Sequence, residues 1–511
     1  MGNILDWIDV GQVSAERDDL LSNYFYDNGV LRSIVDSQSA FLVLGRKGAG
    51  KTAVFRYFAE NPREFIDSED ILVSLSFEDY NWRVHSLLAT PESAESLAYK
   101  QSWRFAILVE AVKAYGQRFE EAGEKPPKQL REALKLLEVL FDRPVPKLTE
   151  IIGRKLLSLA KLKLPKGGLD LEQGGLDAVE ISGGELSFEE VSSNNGLKEH
   201  LSHNIENLIA YLQKALLDGE LPGRIFICFD RIDEAWDEVS ITSSRLVIAG
   251  LVSAADSLVA RYKGKVRPVI FIREDIFDEL NLNDSNKLRE DCGSLLYWTK
   301  DALDKMILVR LNYFANEAGV ESITDLNALF DKEEMRQRTR PMNYVLKRSM
   351  MRPRDLICYL KRLISSMRDA VNDPFEDSVN EFHLLSAELL YEAEPGYSDW
   401  LKQEILDEWA VQRPSIKEVL AVIQNLGSTN LNREELYSAL EQAGVATTQT
   451  DKLSELRFLF DNSIIGFRVG SSTQWRFKCF QPAQGFIDSE DYRVHDGIVR
   501  ALNLTESRER K

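Results

Sequence analysis

Cysteine, histidine and positive charge are all in short supply in this 511-residue chain. Its four cysteines (Cys228, Cys292, Cys358 and Cys479) have no paired spacing. That excludes a disulfide framework and a zinc cluster, and predicts small core residues in a reducing compartment. The five histidines show no ligand spacing either. No apolar run approaches the roughly 20 residues that cross a bilayer. The opening MGNILDWIDVGQ has no basic n-region, carries Asp6 and Asp9, and lacks Ser or Thr where myristoylation favours one. A cytoplasmic protein with no membrane partner is the expectation. The net charge of −19 argues against nonspecific coating of nucleic acid, so such a contact would need a local basic surface.

What is present is a 44% hydrophobic, 28% charged chain, enough for two to four domains with real cores. One stretch carries specific chemistry. In FLVLGRKGAGKTAVFRYF, the run Gly45-Arg46-Lys47-Gly48-Ala49-Gly50-Lys51-Thr52 fits G-x-x-x-x-G-K-[ST] in full, with Ala53 following. It lies after an apolar strand and before an amphipathic helix. Its glycines allow successive backbone N–H groups to face one concavity, and the helix start adds its positive dipole end. Lys51 is placed to reach the outer phosphates of a nucleotide and Thr52 to ligate Mg²⁺. A second stretch, FICFDRIDEAWD, ends an apolar strand in Asp230, at the carboxyl end where open α/β sheets bind ligands. Asp230 is the expected second Mg²⁺ residue, and Asp233 or Glu234 the group that orients or deprotonates water.

Strands and helices alternate around these motifs. SAFLVLG, DILVSLSF, RIFICFD and RPVIFIR read as strands and SLLYW as a fifth, which predicts a three-layer α/β core with a mostly parallel sheet. The core is assigned to 1–84 and 196–315. A mostly helical insertion fills 85–195, with a glycine-rich loop (KGGLDLEQGGLDAVEISGGELSF) and a basic, leucine-striped segment from Lys147 to Lys166 read as a packed helix. A helical lid is expected over 316–395. Residues 396–511 read as helices SDWLKQEILDEWA, SIKEVLAVIQNL, NREELYSALEQAG and TDKLSELRFLFDNS and then a hairpin, IIGFRV with QWRFKCF; helices followed by a two-stranded wing are the winged-helix order. That tail region carries 14 Lys and Arg against 16 Asp and Glu over 401–511, which favours a protein contact over DNA reading.

Several stretches add a resemblance. The pattern D-x-apolar-D-E at Asp230–Glu234 resembles STAND and NACHT-type signalling ATPases. RPRDL resembles the lid arginine motif of AAA+, STAND and KAP-type ATPases. GRKGAGKTA, FDRIDEAW, FIREDIFDEL, NKLRED, LLYWTKDAL, RPRDL and YRVHDGIVRAL together look like bacterial FunZ-like P-loop ATPases. The resemblance implies an additional-strand P-loop NTPase that binds and hydrolyses ATP with Mg²⁺. It implies that Arg273 senses the γ-phosphate, and that Arg354, or else Arg352, meets it from the lid. It also implies phage-exclusion biology, though neither a trigger nor an effector. Since no nuclease, protease or NAD-cleaving motif stands out, a protein effector partner is expected to supply any killing activity, and a homo-oligomer is the expected assembly. The alternatives are a DNA-transaction ATPase that grips duplex through the tail, and a nucleotide-binding scaffold with little hydrolysis.

Overall fold

In the computed structural model the described residues are 2–77, 85, 95–141, 156–163, 180–181, 188–219, 221–235, 241–372, 381–470 and 472–505. Most of the glycine-rich loop and most of the basic segment before it fall outside them. By internal contacts the chain divides into two units. One comprises Gly29–Arg46 and Lys51–Leu296; the other comprises Met1–Asn28, Lys47–Gly50 and the chain from Tyr297 onward.

The first unit is built on a five-stranded, wholly parallel sheet. Its strands are β1 (Leu42–Gly45), β2 (Ile71–Ser76), β3 (Ile225–Asp230), β4 (Val266–Arg273) and β5 (Gly293–Leu295), in the order β2-β3-β4-β1-β5. Ile225–Phe229 of β3 and Val269–Ile272 of β4 are continuous apolar runs because both faces of the sheet are covered there, as parallel sheets require. Helix α1 (Val30–Asp36) precedes β1, and α2 (Lys51–Glu60) follows it, with Val54, Phe55 and Phe58 buried. The long helices α3 (Glu95–Glu121) and α4 (Lys128–Phe141) come from the expected insertion, and α5 (Asn195–Asp218) from the segment assigned to the core. They share one core with the sheet and with α6 (Ile241–Arg261). Trp103 of α3 is fully buried and donates its indole N–H to Val247 O at 2.9 Å. Within α6, Ser243–Arg261 corrects the expectation that no run approaches bilayer-crossing length, since it is long and apolar enough to cross a membrane by length and composition. Here Leu251, Val252, Ala255 and Leu258 are fully buried in the shared core.

The second unit is helical with one small sheet. Its helices include α7 (Lys300–Glu317), α8 (Pro341–Arg348), α9 (Pro353–Val371), α10 (Ala387–Trp409), α11 (Ile416–Leu426), α12 (Arg433–Gln442) and α13 (Gln449–Asp461). Strands β6 (Asn430–Asn432), β7 (Ile465–Phe467) and β8 (Asp491–Val494) form an antiparallel sheet with β8 in the middle.

Three expectations meet a different structure here. Residue 315 lies inside α7 and residue 395 inside α10, so neither marks a break in the chain. Glu394-Pro395-Gly396 has the composition of a helix stop. Yet Leu390, Tyr397, Leu401 and Ile405 form one buried face across it, and that packing outweighs the hydrogen bond Pro395 forgoes. Residues 2–28, expected with the sheet, instead bury Ile4, Ile8 and Val10 in the core of the second unit. The expected hairpin is also re-paired. β7 takes β8 as its partner, and QWRFKCF contributes only a single bridge, between Phe467 and Arg476. Tyr492 and Val494 of β8 are fully buried, which fixes that register.

Candidate functional site

The glycine loop joins β1 to α2. Gly45 ends β1 in register with Arg273 at the end of β4. Gly48 has φ 79° and Gly50 φ 97°, a region L side chains rarely adopt, so both positions require glycine. A Cβ built on Gly50 would meet nothing within 4 Å, so open space lies beside it. Lys51 folds back along the loop and donates from Nζ to Gly45 O (3.0 Å) and Arg46 O (3.2 Å). Ala53 is the third residue of α2 and is half-buried.

In the sheet unit, β3 brings Asp230 to Thr52 and Lys51. Asp230 is 3% exposed, and its carboxylate accepts the Thr52 hydroxyl and the Arg231 backbone N–H. Burial pushes its pKa up to about 7, helped by Asp233 and opposed by Lys51 and the two hydrogen bonds. Arg231 sits at φ 61°, a strained position for a side chain of its size. It starts the turn Ile232–Ala235, which returns Asp233 toward the loop lysine. Burial lowers the Lys51 pKa, and Asp233 is the carboxylate that opposes this most. Glu234 belongs to the same turn; its side chain lies outside the described residues. Arg273 is clamped by Asp275, with Nε–Oδ1 at 3.2 Å and Nη2–Oδ2 at 2.7 Å. Among the described residues no group of three His, Cys, Asp or Glu side chains is placed to hold a metal.

In the second unit, the residues Lys47–Gly50 meet the two RPRDL arginines. Arg352 is 6% exposed and donates from Nη1 to Lys47 O (3.0 Å) and to Glu408 Oε2 (3.1 Å). Burial lowers its pKa, yet the Glu408 charge more than compensates and holds it firmly protonated. Arg354 pairs with Glu404 at 3.0 Å, and the same Oε2 lies 3.8 Å from Lys47 Nζ. Trp298, 6% exposed, donates its indole N–H to Ala49 O at 2.8 Å.

The expected residues therefore fall into two sets. Lys51, Thr52, Asp230, Asp233 and Arg273 form one, and the Lys47–Gly50 backbone with Arg352 and Arg354 forms the other. Sequence reasoning missed Trp298, Asp275, Glu404 and Glu408. Glu404 and Glu408 are spaced i, i+4 and so share a face of α10, whose apolar residues demand burial. Buried carboxylates need cations, and that signal was available. A Trp just past the sheet, needing a partner for its N–H, was another.

Comparison with known proteins places residues 301–406 on the model of a FunZ-associated C-terminal helical domain. The matched span holds Arg352, Arg354 and Glu404 and ends before Glu408. The chain is also 23% identical over 518 residues to the "Putative transposon gamma-delta 80.3 kDa protein" of Escherichia coli strain K12. That alignment covers 97% of this chain and 67% of the other protein. The family match supports the resemblance to FunZ-like proteins read from the motifs.

Proposed function

We propose that this chain is an additional-strand P-loop NTPase that binds ATP with Mg²⁺ on Gly45–Thr52. We read it as the slow-hydrolysing switch component of a bacterial anti-phage system. The observation that carries the reading is the Thr52 hydroxyl on the buried Asp230 carboxylate beside Lys51. A sequence with an inert glycine turn has no reason to pay for that arrangement, because it leaves acidic groups crowded in a desolvated pocket. Support also comes from the sheet order, in which β4 is interposed between the loop strand β1 and the acidic strand β3.

The residues fit a triphosphate and its metal. Thr52 and Asp230 would hold Mg²⁺ together with phosphate oxygens, and the ion would supply positive charge at the reacting phosphoryl group. Lys51 can exchange its two carbonyl acceptors for phosphate oxygens at little cost in hydrogen bonds. Asp233, or Glu234, would orient the attacking water and take its proton. Arg273 and Arg354 would release Asp275 and Glu404 to meet the γ-phosphate, which makes their positions depend on nucleotide state.

The chain order α11-β6-α12-α13-β7-β8, with β8 central in the sheet, supports reading this region as a winged-helix-like domain. The cations near the expected wing are engaged within it. Arg468 pairs with Asp491 (2.6 Å), Arg476 with Gln484 (2.9 Å), and Lys478 with Gln484 O (3.1 Å). This favours a protein partner, an effector or a second copy of the chain, over duplex DNA. The transposon name of the Escherichia coli relative fits a setting of mobile genetic elements.

Calorimetry of the full chain with MgATP tests the reading, with turnover and light scattering measured with and without duplex DNA. Uptake that Lys51→Ala abolishes is expected, with slow, DNA-independent turnover. No uptake by the wild-type chain would end the proposal, and strong, salt-sensitive stimulation by DNA would turn it toward a DNA-transaction enzyme.

A further inference from the structure

We infer that Trp298 and Arg352 are positioning residues that pre-set the phosphate loop by tying back two of its carbonyls. The inference rests on the nucleotide-binding reading above and deepens it. A trans peptide is planar, so the C=O of one residue and the N–H of the next point in opposite directions. Trp298 Nε1 holds Ala49 O at 2.8 Å, which turns the Gly50 N–H away from the indole. Arg352 Nη1 holds Lys47 O at 3.0 Å, which turns the Gly48 N–H away from the guanidinium. Neither N–H has an acceptor among the described residues. The two positive-φ glycines are the residues whose amides are released. Successive amides presented to one side form the concave nest that holds an anion.

Both donors are themselves fixed. Trp298 is buried, with the Tyr26 ring 6.1 Å away by centroid. Arg352 is locked by Glu408 and by a contact from Nη2 to Met350 Sδ at 3.0 Å. Arg352 thus has its fork committed to the loop backbone and to Glu408, a different task from meeting a γ-phosphate. Arg354, 28% exposed in its side chain, remains the arginine suited to that.

The test is calorimetry of the full chain with MgATP and with magnesium tripolyphosphate, alongside thermal melts. Trp298→Phe keeps the ring and removes the N–H. It is expected to weaken both ligands about tenfold, the worth of one oriented hydrogen bond, while the melt moves little. Arg352→Lys, which keeps a cation for Glu408 and one donor, should bind better than Arg352→Met. A merely structural role would lower the melting temperature and leave tripolyphosphate affinity of the folded protein unchanged, overturning the inference. If Trp298→Phe fails to fold, the Arg352→Lys and Arg352→Met pair decides by the same readout. Wild-type binding lost in Lys51→Ala but kept in Trp298→Phe and Arg352→Met would remove the braces and leave the nucleotide reading standing. No binding by the wild type would remove both.

Discussion

The two sets of charged residues are balanced in opposite ways. Around β3, Asp230, Asp233 and Asp275 gather near Lys51 and Arg273, and Asp230 is left with a pKa pushed up to about 7. Around α9 and α10, each arginine has its own carboxylate: Arg352 with Glu408, Arg354 with Glu404. The acidic set is short of positive charge and would gain from an added cation. The arginine set is neutralised internally and costs little to keep in the absence of ligand. Buried charge without full compensation is expensive, so its persistence marks a place built to receive something.

The largest effect should come from breaking the balanced set. Arg352→Met strands Glu408, whose side chain is 5% exposed, and is expected to cost about 3–5 kcal/mol in urea melts. A loss under 1 kcal/mol would mean the pair is not balanced as described. The acidic set should respond with the opposite sign. Asp230 has a folded pKa raised above its unfolded value, so charging it as pH rises from about 4 to about 7 costs stability. Asp230→Asn escapes that cost and should raise the stability of nucleotide-free protein in chelator at pH 8 by about 1–3 kcal/mol. Destabilisation instead would show that Lys51 and Thr52 already satisfy the carboxylate. The smallest effect belongs to Arg354→Met. Its pair with Glu404 is partly exposed, so melts should shift by less than about 1 kcal/mol. A larger shift would place Arg354 with Arg352 as a structural residue.

The glycine loop was legible because its requirements are local. Gly48 and Gly50 need positive φ, and Lys51 and Thr52 lie on the first turn of the helix that follows, all within eight residues. Asp230 was legible because an apolar run that closes on an acid marks the carboxyl end of a buried strand. The braces were not. Trp298 lies 249 residues from Ala49 and Arg352 lies 305 from Lys47, so nothing in the local pattern joins them. The pairing of β7 with β8 was missed for a similar reason. The nearer QWRFKCF stretch has strand composition, but the buried Tyr492 and Val494 fit the core better.

Sequence alone determined the strand–loop–helix at Gly45–Thr52 and the acidic strand end at Asp230, since periodicity, turn chemistry and spacing act over a few residues. The tertiary structure decided the order of strands, the run of α10 through Pro395, and the partners of Arg352, Arg354 and Trp298. Those depend on which distant apolar faces bury together, and a linear pattern does not encode that.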